Sequence, residues 1–132
     1  MKFMACFEEK GPWRALLREA QAHAKVWNAS LEVVKTVTRE LPLKHTRIIE
    51  MEKELEALVK EQLQDDGVLF NVQLLLTSLE PGEKLVKFIE EEEIDLVFLA
   101  IKKKSKVGKF FFGSTAQYMI LQASCPVVAV KV

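Results

Sequence analysis

Apolar residues recur along this chain in two spacings, short continuous runs and i, i+3, i+4 stripes, and their alternation predicts five strands separated by four helices. Phe3, Met4, Ala5, Cys6 and Phe7 form the first run, the pattern of a parallel strand covered on both faces. Glu8, Glu9, Lys10 and Gly11 make its exit turn. Pro12 suits a first helical turn, where its missing N–H costs nothing. Trp13, Leu16, Leu17, Ala20, Ala24 and Trp27 then lie on one helical stripe, which Asn28 stops. Leu31, Val33, Val34 and Val37 mark a second strand, followed by a loop at 40–46.

A second helix is predicted over 45–64, with Ile48, Met51, Leu55, Leu58 and Val59 on its apolar face and Asp65-Asp66-Gly67 ending it. The third strand is expected at 68–77, where Leu74, Leu75 and Leu76 suggest burial on both sides. Glu80-Pro81-Gly82-Glu83 opens a third helix carrying Leu85, Val86, Phe88 and Ile89. Its closing run, Glu90 to Glu93, reads as a solvated face.

The last forty residues are the most informative. A strand at 96–101 leads into a loop crowded by Lys102, Lys103, Lys104, Lys106 and Lys109. Gly113-Ser114-Thr115 then starts a helix carrying Ala116, Met119, Ile120 and Ala123, and Cys125-Pro126 ends it before the valine-dense strand Val127, Val128, Val130 and Val132. Ser114 and Thr115 read as helix-capping residues, a role that also aims N–H groups at a bound anion. Five strands alternating with four helices predict one doubly wound α/β domain over residues 1–132. Ligands of such sheets sit outside the carboxyl ends of the strands, where strand order reverses. If the first and fourth strands flank that point, the exit turns at 8–11 and 101–114 are the relevant ones; the sequence alone does not fix the strand order.

Composition removes several function classes. The chain holds 19 basic and 19 acidic residues among 132, so no global basic field favours nucleic acid. No apolar run approaches the roughly 18 residues of a membrane span. The segment MKFMACFEEK lacks the apolar core of a signal peptide, so a cytoplasmic protein is expected. Cys6 and Cys125 form no C-x-x-C pair and read as reduced core or boundary residues. His23 and His45 read as solvent-exposed or boundary histidines, so no metal is expected.

Gly108-x4-Gly113 before Ser114-Thr115 approaches a phosphate-binding loop, but the lysine is missing and Phe110, Phe111 and Phe112 fill its middle. A dinucleotide fingerprint after the first strand is absent, as is a nucleophile elbow. The lysine-rich loop is compatible equally with anion binding and with simple solvation.

The frame Ala100-x2-Lys103-x9-Gly113-Ser114, followed by Cys125-Pro126-Val127-Val128-Ala129-Val130, resembles the universal stress protein family. Its nucleotide-binding members carry G-x2-G-x9-G-[ST] and then a C-P-V-x-x-V type final strand. The resemblance implies a five-stranded parallel sheet of order 3-2-1-4-5 with two helices on each face, an adenine nucleotide alpha-hydrolase-like fold. It also implies a regulatory or protective role, an ATP or AMP ligand with Mg in the case of ATP, and a homodimer through the last strand. Carried over by position, the nucleotide site comprises Glu8, Val37, Leu99, Ala100, Lys103, Gly113, Ser114 and Thr115. Glu8 stands where the family has an aspartate, and Ala100 and Lys103 stand where it has glycines, so a β-carbon narrows the backbone's approach to the ligand at both places. These departures keep open a second reading, an interaction module without nucleotide acting as a homodimer or heterodimer. A third is a slow ATPase, for which no dedicated acid–base pair is visible.

Overall fold

A computed structural model describes residues 1–38, 42–64, 66–78, 80–103 and 110–131. Five strands, β1 (Lys2–Cys6), β2 (Ser30–Thr38), β3 (Phe70–Thr77), β4 (Leu96–Lys103) and a last strand β6 (Val127–Lys131), pair in parallel. Their order is β3-β2-β1-β4-β6, the 3-2-1-4-5 arrangement expected. Between β4 and β6 a two-residue strand, β5 (Phe110–Phe111), runs back antiparallel to the end of β4, with Lys102 opposite Phe111 and Lys103 opposite Phe110. Sequence reading placed these phenylalanines in an open loop. Backbone pairing with β5 satisfies ladder groups at the end of β4 that an unpaired loop would leave to water.

Helices α1 (Trp13–Trp27) and α2 (His45–Leu63) cover one face, and α3 (Pro81–Glu91) and α4 (Ser114–Gln122) the other. Period-2 alternation divides the strands between two cores. Phe3, Ala5, Leu31, Val33 and Phe98 face α1 and α2, while Met4, Val34, Val97 and Leu99 face α3 and α4. Phe3, Met4 and Ala5 are buried because β1 is the middle strand.

Several expectations change at the edges. Leu74, Leu75 and Leu76 are only half-buried, because β3 is an edge strand with a single neighbour. Trp27 is 58% exposed: it occupies the last position of α1, where left-handed Asn28 turns the chain towards β2. The α2 helix buries Leu55, Val59 and Leu63, all in its second half, while Ile48 and Met51 stay half-exposed. Its left-handed cap is Gln64 (φ 48°), closed onto the Lys60 carbonyl, and Gly67 (φ 84°) turns the chain three residues later. Glu90 to Glu93 are exposed, as a solvated run should be.

One buried group opposes the fold. Glu32 is 6% exposed and accepts from the Asn71 side-chain amide at 3.2 Å through Oε1, but its Oε2 has no hydrogen-bond partner among the described residues. Burying an unsatisfied charged oxygen costs more than burying a neutral one. Glu32→Gln is therefore expected to raise unfolding stability by roughly 1 kcal/mol. An unchanged or lowered urea midpoint would show that this carboxylate is already satisfied.

Candidate functional site

The helix that follows β1 and the chain that follows β4 leave in opposite senses, so a crevice opens above the carboxyl ends of these strands. Two adjoining clefts occupy it, each of about 220 Å³. Glu8, Pro12, Ala100, Thr115 and Ala116 line both. The inner cleft is walled by Phe7, Trp13, Leu16, Leu85, Leu99 and Met119, an apolar lining suited to a flat ring system. The outer cleft is polar and adds Lys102, Gly113 and Ser114.

The outer cleft is arranged for an anion. Gly113 is the N-cap of α4, and no side chain caps the helix. Its first-turn N–H groups thus face outward without an internal partner, at the positive end of the helix dipole. This corrects the capping roles expected of Ser114 and Thr115: Ser114 is already the first helical residue, and neither side chain bonds back to the backbone. No heavy atom lies within 4 Å of where a Gly113 β-carbon would stand, so open space adjoins the glycine. The Gln117 side-chain amide donates to the Phe112 carbonyl at 3.0 Å and fixes the chain entering the helix. Lys102 donates to the Lys10 carbonyl at 3.4 Å, linking β4 to the β1–α1 turn.

Seven of the eight residues inferred from sequence can be placed against this geometry. Glu8, Ala100 and Thr115 line both clefts, Leu99 the inner one, Gly113 and Ser114 the outer one. Val37 lines neither cleft; Val34 and Thr36 do, since side chains alternate along β2 and an even-numbered residue is needed on this face. Lys103 ends β4, and its side chain, like residues 104, 106, 108 and 109, lies outside the described residues. The cation that the structure does place in the cleft is Lys102, two positions from Ala100 on the same strand face. The same parity makes Lys102 legible in the sequence, once β4 is allowed to run to 103.

Near the inner cleft, Cys6 has its thiol pushed far above the ordinary range by desolvation, with the Glu8 carboxylate and then Cys125 adding to it. Desolvation, followed by Asp95, raises Cys125 as well. Both thiols are thus held in the protonated, unreactive form. Among the described residues no group of three or more His, Cys, Asp or Glu side chains is placed to hold a metal ion. No helix among them is long and apolar enough to cross a membrane.

Five parallel strands in this order, with a cleft over the first and fourth, define a doubly wound α/β domain, a class whose ligands bind at the carboxyl edge. The family model described as the universal stress protein family matches residues 2–131, and the chain belongs to that family. A universal stress protein of Mycolicibacterium smegmatis is 33% identical over 73 residues, 55% of this chain and 55% of that one. The chain thus matches about half the length of this curated relative. A universal stress protein structure from Archaeoglobus fulgidus aligns with TM-score 0.81 and 28% identity over 99% of this chain and 98% of that one. A universal stress protein from Archaeoglobus fulgidus in complex with dAMP aligns at TM-score 0.76 and 24% identity, over 99% and 98% of the two chains. At that identity the likeness is one of fold.

Proposed function

We propose that this universal stress protein binds an adenine nucleotide in the β1/β4 crevice and acts through that binding as a regulatory protein, without turnover chemistry. The observation that carries the reading is the pairing of an apolar inner cleft with an outer cleft formed by the uncapped α4 N-terminus and Lys102. The inner cleft takes the base against Phe7, Trp13 and Leu99. The outer cleft takes the phosphates, held by backbone N–H groups of Ser114 and Thr115 and by the Lys102 ammonium. Glu8, which lines both, is placed to accept from the ribose hydroxyls. Ala100 adds only one β-carbon to the floor, a smaller obstruction than any longer side chain there. AMP and ATP share the base and ribose that these groups would recognise, and Mg²⁺ accompanies ATP through its phosphates. The fold relative solved with dAMP supports the same ligand class.

Among the described residues β6 pairs with β4 alone, and this edge supports assembly as a homodimer. Its valines Val127, Val128 and Val130 are half-buried, and a parallel-sheet edge without a second neighbour invites pairing with a second copy.

Denaturing the purified protein and chromatographing the supernatant is expected to release an adenine nucleotide, and added AMP or Mg-ATP is expected to raise the melting temperature. Nucleotide-free protein whose melting temperature neither ligand moves would remove the binding reading and leave the interaction module.

A further inference from the structure

Beside α2 the sheet carries a groove that shares only Phe7 with the nucleotide crevice. It runs along α2 from Met51 to Glu61, has a volume of about 400 Å³, and is lined by Phe7, Met51, Leu55 and Leu58 together with Lys35 and three carboxylates, Glu9, Glu54 and Glu61. Leu55, Val59 and Leu63 are buried, whereas Met51 and Leu58 remain half-exposed over the gap. Phe7 and Leu55, each 3% exposed, form an ordered apolar floor. Met51, an unbranched thioether, can repack around different shapes.

We propose that this groove is a second ligand site, selective for an apolar organic cation of the aromatic alkylamine class. Volume admits a small organic molecule, since ligand pockets run from about 300 Å³ upward. Charge decides its sign. Lys35, the one lining cation among the described residues, is already held by Glu9 at 3.1 Å. Arg47 reaches Glu54 at 3.5 Å from outside the groove, and Glu61 has no ion-pair partner among the described residues. An ammonium entering the groove therefore meets an excess of carboxylate, while a carboxylate ligand meets repulsion and, among the described residues, no free cation. An apolar body covers Met51 and Leu58, whose exposed area otherwise stays in contact with water. Glu54, Leu58 and Glu61 recur at i, i+4 and i+7 on one helix face, so the charge and the apolar surface are presented together. The site lies on the far side of β1 from the phosphate end of the crevice and stands whether or not nucleotide binds.

Titrating tryptamine and, separately, 3-indolepropionate into the intact protein, followed by two-dimensional amide NMR, tests the assignment. Saturable tryptamine shifts are expected at Lys35, Met51 and Leu58, with the anionic analogue binding roughly tenfold more weakly. Glu61→Gln is expected to weaken tryptamine about threefold or more without weakening the anion, and Ala57→Trp, which fills the groove from an exposed helix position, to abolish both shifts. Equal affinities for the two ligands, shifts centred elsewhere, or an unchanged tryptamine affinity in both variants would overturn the proposal.

Discussion

Replacing Gly113 by aspartate is expected to stabilise the fold slightly while removing nucleotide binding, two effects of opposite sign from one side chain. Gly113 is the N-cap of α4 with φ −64° and ψ 163°, a conformation open to any residue, and its β-carbon direction is empty to 4 Å. Aspartate there can accept from an uncapped first-turn N–H and places negative charge at the positive end of the helix, a gain of a few tenths of a kcal/mol over glycine. The same carboxylate occupies the anion position. A phosphate about 4 Å away would meet roughly 4 kcal/mol of repulsion per charge pair at an effective dielectric near 20, so affinity for AMP should fall on the order of 100-fold or more. Gly113→Ala, which adds bulk without charge, should fall between wild type and Gly113→Asp. Calorimetric titration and a denaturant midpoint on the same samples separate the two effects. Undiminished AMP affinity in Gly113→Asp would show that the phosphates lie elsewhere.

That one glycine can be argued so closely reflects which features of the chain were local. The alternation of strands and helices could be expected because each apolar run had its own turn and helix, and the continuous run at residues 3–7 suited the covered position that β1 takes, whereas the strand order was implied only by the family resemblance. Gly113 and Ser114 were legible because a short motif fixes both the strand exit and the helix start. What failed was non-local. Nothing in Leu74-Leu75-Leu76 announces that β3 has one neighbour, so its two-sided burial was overestimated. Val37, carried over by position, falls on the other side of the pleat from Val34 and Thr36, which line the inner cleft. Lys102 was hidden among five lysines until the ladder with Phe111 extended β4 and set its parity. The groove beside α2 had no sequence signature either, because the helix reads as evenly amphipathic although its buried residues all fall in its second half.

The contact that fixes α4 over the cleft is predicted to be the most sensitive packing point in the described structure. Gly82 lies buried in the first turn of α3, directly after Pro81, and a β-carbon there would stand 2.7 Å from Tyr118 Cδ1, 3.0 Å from its Cγ and 3.1 Å from its Cβ. The first could be relieved by ring rotation. The contact with Cβ cannot, because that atom moves only with the α4 backbone. Gly82→Val should accordingly cost roughly 2–3 kcal/mol, the range for overpacking a filled site. Gly82→Ala should cost less, because the gain in helix propensity, about 1 kcal/mol at most, offsets part of the clash. Since Pro81 and Leu85 of the same helix wall the inner cleft and Thr115 of α4 lines both clefts, pushing α3 and α4 apart should also weaken AMP binding, although Gly82 itself lines neither cleft. Combining Gly82→Val with Tyr118→Ala tests the cause: with the ring gone the two shortest contacts, to Cδ1 and Cγ, disappear and only that to Cβ remains, so the double variant should be less destabilised than the sum of the singles by at least about 1 kcal/mol. Strict additivity of the two unfolding free energies would mean that the Gly82 penalty arises in its own helix rather than at the α3–α4 contact.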